Sequence, residues 1–239
     1  MKKLIKIFLI TLFCSFSNAQ SKKNWTVLDF LNFSAENPFI VENDINGVCF
    51  VILSEEFNYY KSPIIINNEN QNVILNIEYN ETVGFLTTYK NKIYSKNENL
   101  LNPFKPWFWS ENPDYFNFVL ECVDTIGNYY KVKLNNVDFG WINKSDTNFK
   151  RQKIDEFVLE YTADPMGLDF DRRNNPLRKE PDEKSEIIFH TEEKKYKIWR
   201  ATTLEIKNEW LRIETIKKEI GWLKWKEGNK ILIRMYYSL

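Results

Sequence analysis

His190 is the one histidine of the chain and so the one side chain whose ordinary pKa suits proton transfer near neutrality. It sits in Ile187-Ile188-Phe189-His190 with no Cys, Ser or acid beside it in a nucleophile motif, which suits a rim or edge position better than catalysis. Cys49, in Val48-Cys49-Phe50-Val51, and Cys122, in Leu120-Glu121-Cys122-Val123, lie in apolar strand-like runs rather than at the start of a helix, where a nucleophilic thiol would be expected. Asp169-Phe170-Asp171 offers two carboxylates, but Arg172-Arg173 follows at once and no glycine-centred calcium loop accompanies them. Solvated charge, with an Asp171–arginine pair, is the expectation there. No Gly-rich phosphate loop is present, so neither a metal nor a cofactor is expected and no catalytic residue is assigned.

Binding chemistry is better represented. Phe104-Lys105-Pro106-Trp107-Phe108-Trp109-Ser110, framed by Pro103 and Pro113, concentrates rigid aromatic rings that can stack on a sugar or a peptide at low entropic cost. Trp107, Phe108, Trp109 and the nearby Tyr115 are therefore the candidate ligand contacts. The alternative is that the segment folds back and its rings become core, because large exposed aromatic patches are uncommon on soluble monomers.

These residues must be positioned by strands. Val48–Leu53, Pro63–Ile66, Val73–Tyr79 and Val83–Thr88 each read as a strand, while 25–33 has the spacing of a short helix. A constant offset of 81 positions lays Tyr129 on Trp210, Lys131 on Arg212, Val132 on Ile213, Gly140 on Gly221, Trp141 on Trp222 and Ile142 on Leu223. Each copy alternates apolar and charged residues, turns, and returns through Gly-Trp-aliphatic, as an antiparallel hairpin does. Tyr129, Val132, Gly140, Trp141, Trp210, Ile213, Gly221 and Trp222 are the expected structural core, with the indole after each glycine filling a small barrel.

The chain opens Met1-Lys2-Lys3-Leu4-Ile5-Lys6, continues through the apolar run Ile7 to Phe13, and reaches Ser17-Asn18-Ala19. That pattern is a secretory signal peptide, residues 1–19, cut before Gln20. A lipoprotein reading at Cys14 is disfavoured by the bulk of Phe13. No later segment is long and apolar enough to be a transmembrane span. Cleavage removes three lysines, leaving 30 basic against 33 acidic residues, and a slightly acidic protein lacks the basic footprint of nucleic-acid binding. Export to an oxidising compartment permits a disulfide between Cys49 and Cys122, two buried unpaired thiols being the alternative.

The paired motifs Trp210-Leu211-Arg212-Ile213 with Gly221-Trp222-Leu223, and Tyr129-Tyr130-Lys131-Val132 with Gly140-Trp141-Ile142, resemble the bacterial SH3 domain family over residues 90–146 and 172–239. Asn175-Pro176-Leu177-Arg178-Lys179-Glu180-Pro181 looks like the family's opening strand, with Lys92-Ile93-Tyr94-Ser95 a looser counterpart. The resemblance implies an all-β protein of two tandem SH3-like barrels: a mainly β segment at 20–89, barrel one at 90–146, a linker at 147–171 and barrel two at 172–239. It also implies a non-enzymatic, periplasmic or secreted binding module of the cell envelope whose partner is a cell-wall peptide or an envelope protein. The alternatives are a carboxylate-dependent envelope hydrolase and a structural or inhibitory partner of another exported protein.

Overall fold

The computed structural model describes residues 44–94, 104–110, 116–164 and 167–235. The signal-like 1–19 with Cys14, the helical spacing at 25–33, and Tyr115 lie outside the described residues. The architecture is nearly all β, with antiparallel pairing throughout. No helix among the described residues is long and apolar enough to cross a membrane.

The first unit contains β1 (Cys49–Leu53), β2 (Ile64–Asn67), β3 (Val73–Asn80), β4 (Gly84–Tyr89), β5 (Lys92–Tyr94), β6 (Phe108–Ser110), β7 (Asn117–Ile126), β8 (Tyr129–Lys133), β9 (Phe139–Asn143) and β10 (Phe149–Gln152). They form one sheet in the order β10-β1-β7-β8-β9-β2-β3-β4-β5, with β6 on the side against β7. The separation expected at 89/90 therefore falls inside a hairpin, at the Lys90-Asn91 turn between β4 and β5. Both turn residues have the positive φ that a two-residue hairpin requires. Lys92-Ile93-Tyr94 pairs with β4 instead of opening a barrel, and it is β2 that meets β9, at Asn67 and Trp141.

The second unit comprises β11 (Leu168–Asp171), β12 (Ile198–Lys207), β13 (Trp210–Thr215), β14 (Ile220–Lys224) and β17 (Arg234–Met235), ordered β14-β13-β12-β11-β17. A small hairpin of β15 (Lys226–Glu227) and β16 (Lys230–Ile231) precedes β17. Arg178 bridges Trp222 on one side and Ile187 on the other, so the Asn175–Pro181 stretch does pair beside the Gly-Trp strand.

The repeat proves to be deeper than its motifs. Residues 117–143 and 198–224 form the same three-stranded meander at a constant offset of 81. Tyr129↔Asn143 corresponds to Trp210↔Lys224, Lys131↔Trp141 to Arg212↔Trp222, and Val132↔Gly140 to Ile213↔Gly221. The irregularity between Cys122 and Asp124 recurs between Thr203 and Glu205. Even the turn residue with positive φ is equivalent, Gly127 in one copy and Asn208 in the other. The strand order around each meander also matches: β10-β1-β7-β8-β9 in the first unit, β17-β11-β12-β13-β14 in the second.

One expectation about this core is corrected. Val132, Trp210, Ile213, Gly140 and Gly221 are buried, but Trp141, Trp222 and Tyr129 are only half-buried. Successive strand residues point to opposite faces, so a glycine turned inward puts the following tryptophan outward. Trp141 packs edge-on against Tyr129 and under the ammonium of Lys131. The glycines are there because the interior leaves no room. A Cβ on Gly140 would run into Ile66 Cγ2, and one on Gly221 would lie 2.7 Å from both Leu177 Cγ and Ile188 Cδ1.

Two hydrophobic cores result. Cys49, Val51, Phe118, Leu120 and Cys122 face the interior of the first unit with Ile64, Ile66, Leu75 and Val132. Phe50, Ile52 and Val119, on the reverse face of the same strands, join a second core that continues into Leu168, Phe170, Trp199, Leu211 and Ile213 of the second unit. Within the stretch expected as a linker, 147–171, β10, the helix α1 (Ile154–Thr162) and β11 form the wedge between the units. Asp155 and Glu156 complement the helix N-terminus. Glu156 also accepts the Lys153 ammonium, at 2.7 Å. Ile154, Phe157, Val158 and Tyr161 give one apolar face, which was readable as a helical period. Phe157 packs 4.8 Å from the Phe50 ring, against the back of β1.

The expected outcome is that Gly221→Ala and Gly140→Ala each destabilise the protein by about 1–3 kcal/mol through overpacking, whereas Trp141→Ala, which empties a half-exposed site, costs less. Denaturant unfolding of the three variants ranks them, and a Trp141→Ala loss exceeding both glycine substitutions contradicts the assignment of faces.

Candidate functional site

Before β1, residues 44–48 form a strap that crosses β7. Gly47 is required there, since a Cβ would meet the Cys122 carbonyl oxygen at 2.5 Å and Glu121 Cγ at 2.6 Å. The strap is held by Glu121, a carboxylate only 2 % exposed, whose Oε1 accepts the backbone N–H of Gly47 at 2.6 Å and also that of Asn46. Glu121 Oε2 lies 4.0 Å from Lys133 Nζ. Burial of this carboxylate is offset by the charge-assisted bonds it accepts. The strap also reaches the second unit: Ile45 N donates to Asn229 O at 2.8 Å, and Asn229 Nδ2 donates to Asn46 Oδ1 at 3.1 Å.

Beside the strap opens a cleft of about 430 Å³ lined by Asp44, Asn46, Lys105, Pro106, Trp107, Glu121, Lys133 and Asn136. Its far wall, the β8–β9 connection, is made rigid by Asp138. That carboxylate accepts bonds from Tyr89 Oη (2.5 Å), Lys90 Nζ (2.7 Å) and Asn135 Nδ2 (3.1 Å). Lys105 N donates to Leu134 O at 2.8 Å, tying the aromatic segment to the same connection. The Lys90 ammonium, then the Tyr89 hydroxyl, hold the Asp138 carboxyl below its usual range. Burial, reinforced by Asp138, pushes the Tyr89 phenol up. The cleft thus offers two ammonium groups, an exposed carboxylate, amide side chains and one aromatic edge, with no cluster of three metal-ligating side chains among the described residues.

The aromatic segment is mostly core. Trp107 and Phe108 are 6 % and 7 % exposed, and Trp107 is backed by Phe50 at 4.5 Å and Phe157 at 5.6 Å between ring centroids. Stacking a ligand on either ring face would require displacing the core, so only the edge of Trp107 serves the cleft. Trp109 is half-buried on the opposite side, edge-on to Phe104, Phe116 and Phe118. Tyr115 lies outside the described residues. The strap and Glu121 were missed in the sequence, although a lone acid in the apolar run Phe118-Val119-Leu120-Glu121-Cys122 was a signal that something must satisfy it.

Of the charges at 169–173, Asp169 and Arg172 are buried rather than solvated, Asp171 is half-buried and Arg173 is exposed. Asp169 pairs with its cross-strand neighbour Arg200 at 3.1 Å with both buried, and Asp171 pairs with Lys197 at 3.3 Å rather than with an arginine side chain. Arg172 has a fully buried side chain that donates to Glu193, to both oxygens of Glu219 and to Ile188 O, and its guanidinium lies 4.4 Å from the Trp199 ring centre. His190 is half-buried at the side of Trp199, and its Nδ1 accepts the Glu192 N–H at 3.1 Å. It is committed to a turn.

No protein-family model, no curated protein and no solved structure matches the chain.

Asp138→Asn is expected to cost about 1–3 kcal/mol, since it removes a charged acceptor from three donors. Because the folded-state carboxyl titrates below its unfolded value, the contribution is complete above about pH 4 and is lost as pH falls through the lower, folded value. Urea unfolding at neutral pH and in acid should show the wild-type advantage shrinking in acid, and a difference that grows there would contradict the assignment.

Proposed function

We propose that the chain is a non-catalytic binding protein of the cell envelope, built from two SH3-like units, that takes a short peptide into the cleft between Asp44, Lys105, Trp107 and Lys133. The observation that carries this reading is the cleft itself, with cations and a carboxylate set around one aromatic edge. Lys105 and Lys133 suit the carboxylates of a peptide, Asp44 suits an ammonium, and the Trp107 edge suits an aliphatic side chain. Cell-wall stem peptides and extended segments of envelope proteins share that mixed chemistry. The SH3-like reading is supported by the strand order common to both units and by the irregularity at an equivalent place in each long strand. The envelope location rests on the basic, apolar and small-residue pattern of residues 1–19.

Asp44 and Glu121 line the same cleft, and a carboxylate-dependent hydrolase is the second reading they favour. The buried Glu121 is engaged by two backbone amides and faces an ammonium, which suits anchoring the strap more than delivering a proton.

Titration with a purified cell-wall stem peptide, followed by tryptophan fluorescence, is expected to show saturable binding. Lys105→Glu combined with Lys133→Gln should weaken it at least about tenfold, equivalent to about 1.4 kcal/mol, with the variant still folded by circular dichroism. Binding untouched by that double substitution would remove the cleft from consideration. Release of product from cell-wall or glycan substrates, abolished by Glu121→Gln, would replace the binding reading with the hydrolase.

A further inference from the structure

Cys49 and Cys122 are direct partners in the β1–β7 ladder, their side chains lie in the same core, and both are fully buried free thiols. We infer that this pair is a built site for a cross-strand disulfide, formed while the chain folds under oxidising conditions and inaccessible once folding is complete. Directly opposed residues of an antiparallel pair stand about 4.5–5.5 Å apart at Cα, inside the range of about 4.4–6.8 Å that disulfides span. The bridge therefore needs sulfur rotation rather than backbone movement.

The duplicated meander supplies an independent observation. The position equivalent to Cys122 is Thr203, buried within the same register and beside the same irregularity. The second copy thus holds a hydroxyl where the first has the Cys122 thiol, so sulfur at that position is not a packing requirement of the meander. What distinguishes the first unit is the length of chain between β1 and β7, which holds β2 to β6 and the aromatic segment. A covalent link at 49–122 ties together the two ends of that excursion and limits the freedom of the unfolded chain accordingly.

The oxidant is a disulfide, either a small-molecule one or that of a thiol–disulfide oxidoreductase. One thiolate, Cys49 in the simplest order, attacks a sulfur of that disulfide and expels the first thiolate. Cys122 then loses its proton and attacks the Cys49 sulfur of the mixed disulfide, expelling the second. Two protons and two electrons leave the pair and one disulfide is reduced to two thiols. Zero exposure of both residues in the folded state confines the exchange to folding or to transient opening.

The test refolds the full chain from denaturant in two buffers, one with reduced and oxidised glutathione and one with excess reductant. Expected from the first is a mass lower by about 2 Da than the reduced chain, a peptide map under non-reducing conditions that joins the Cys49 and Cys122 peptides, and a melting temperature raised by about 5–15 °C that reductant abolishes after unfolding. The natively folded reduced form should react with a thiol reagent at Cys49 and Cys122 only after denaturation. Comparing the two redox forms of the unaltered chain avoids dependence on any variant that fails to fold. Recovery of a natively folded chain from the glutathione buffer with both thiols still alkylatable, or a map that joins Cys14 to either residue instead, overturns the inference.

Discussion

The structure depends on a two-stranded ladder, β1 against β7, that is buried on both faces. Alternation along β1 sends Cys49 and Val51 into one core and Phe50 and Ile52 into the other. Along β7 it separates Phe118, Leu120 and Cys122 from Val119. At roughly 1.5–3 kcal/mol for a large apolar side chain, the residues of this ladder contribute to both hydrophobic bodies at once. The one polar side chain on its inner length, Glu121, is tolerated because the strap brings two amide donors to it. From this follows the position of the strap, the cleft next to it and the contact with the second unit at Asn229.

The two copies of the meander show which parts of the design are constrained by backbone geometry and which are free. Register, irregularity, turn conformation and the inward glycine are common to both. What hangs on them differs. Between β1 and β7 the first unit carries the consecutive antiparallel strands β2 to β5 and the aromatic segment with β6. The second fills the same topological place with a compact loop held by the buried Arg172 and its carboxylates, Glu193 and Glu219. A guanidinium hydrogen-bonded through all three of its nitrogens and set on an aromatic ring tolerates burial that an unpaired charge would not. The cleft lies on the unit with the longer excursion, and three of its lining residues, Lys105, Pro106 and Trp107, come from it.

Much of the secondary structure was legible in order along the chain. Val48–Leu53, Pro63–Ile66, Val73–Tyr79 and Val83–Thr88 agree with β1 to β4 to within a residue or so. The helix at 154–162 was not read, since residues 147–171 were expected as a linker, although Ile154, Phe157, Val158 and Tyr161 recur at helical spacing beneath the charge that surrounds them. Arg172 shows the opposite limit: nothing local distinguishes a buried arginine from its exposed neighbour Arg173, because the carboxylates that compensate it are 21 and 47 positions away.

By itself, the sequence determined the strand-forming runs, the all-β character and a repeat of constant offset, because period-two alternation and turn chemistry are local properties. Which member of each Gly-Trp pair faces inward was settled only by Ile66 in one unit and by Leu177 and Ile188 in the other, residues that press on the glycine from another part of the chain. The fate of the aromatic segment was settled in the same way, by Phe50 and Phe157 closing behind Trp107. Alternation says that neighbours part company across a strand; only the packing partner says which of the two faces becomes the interior.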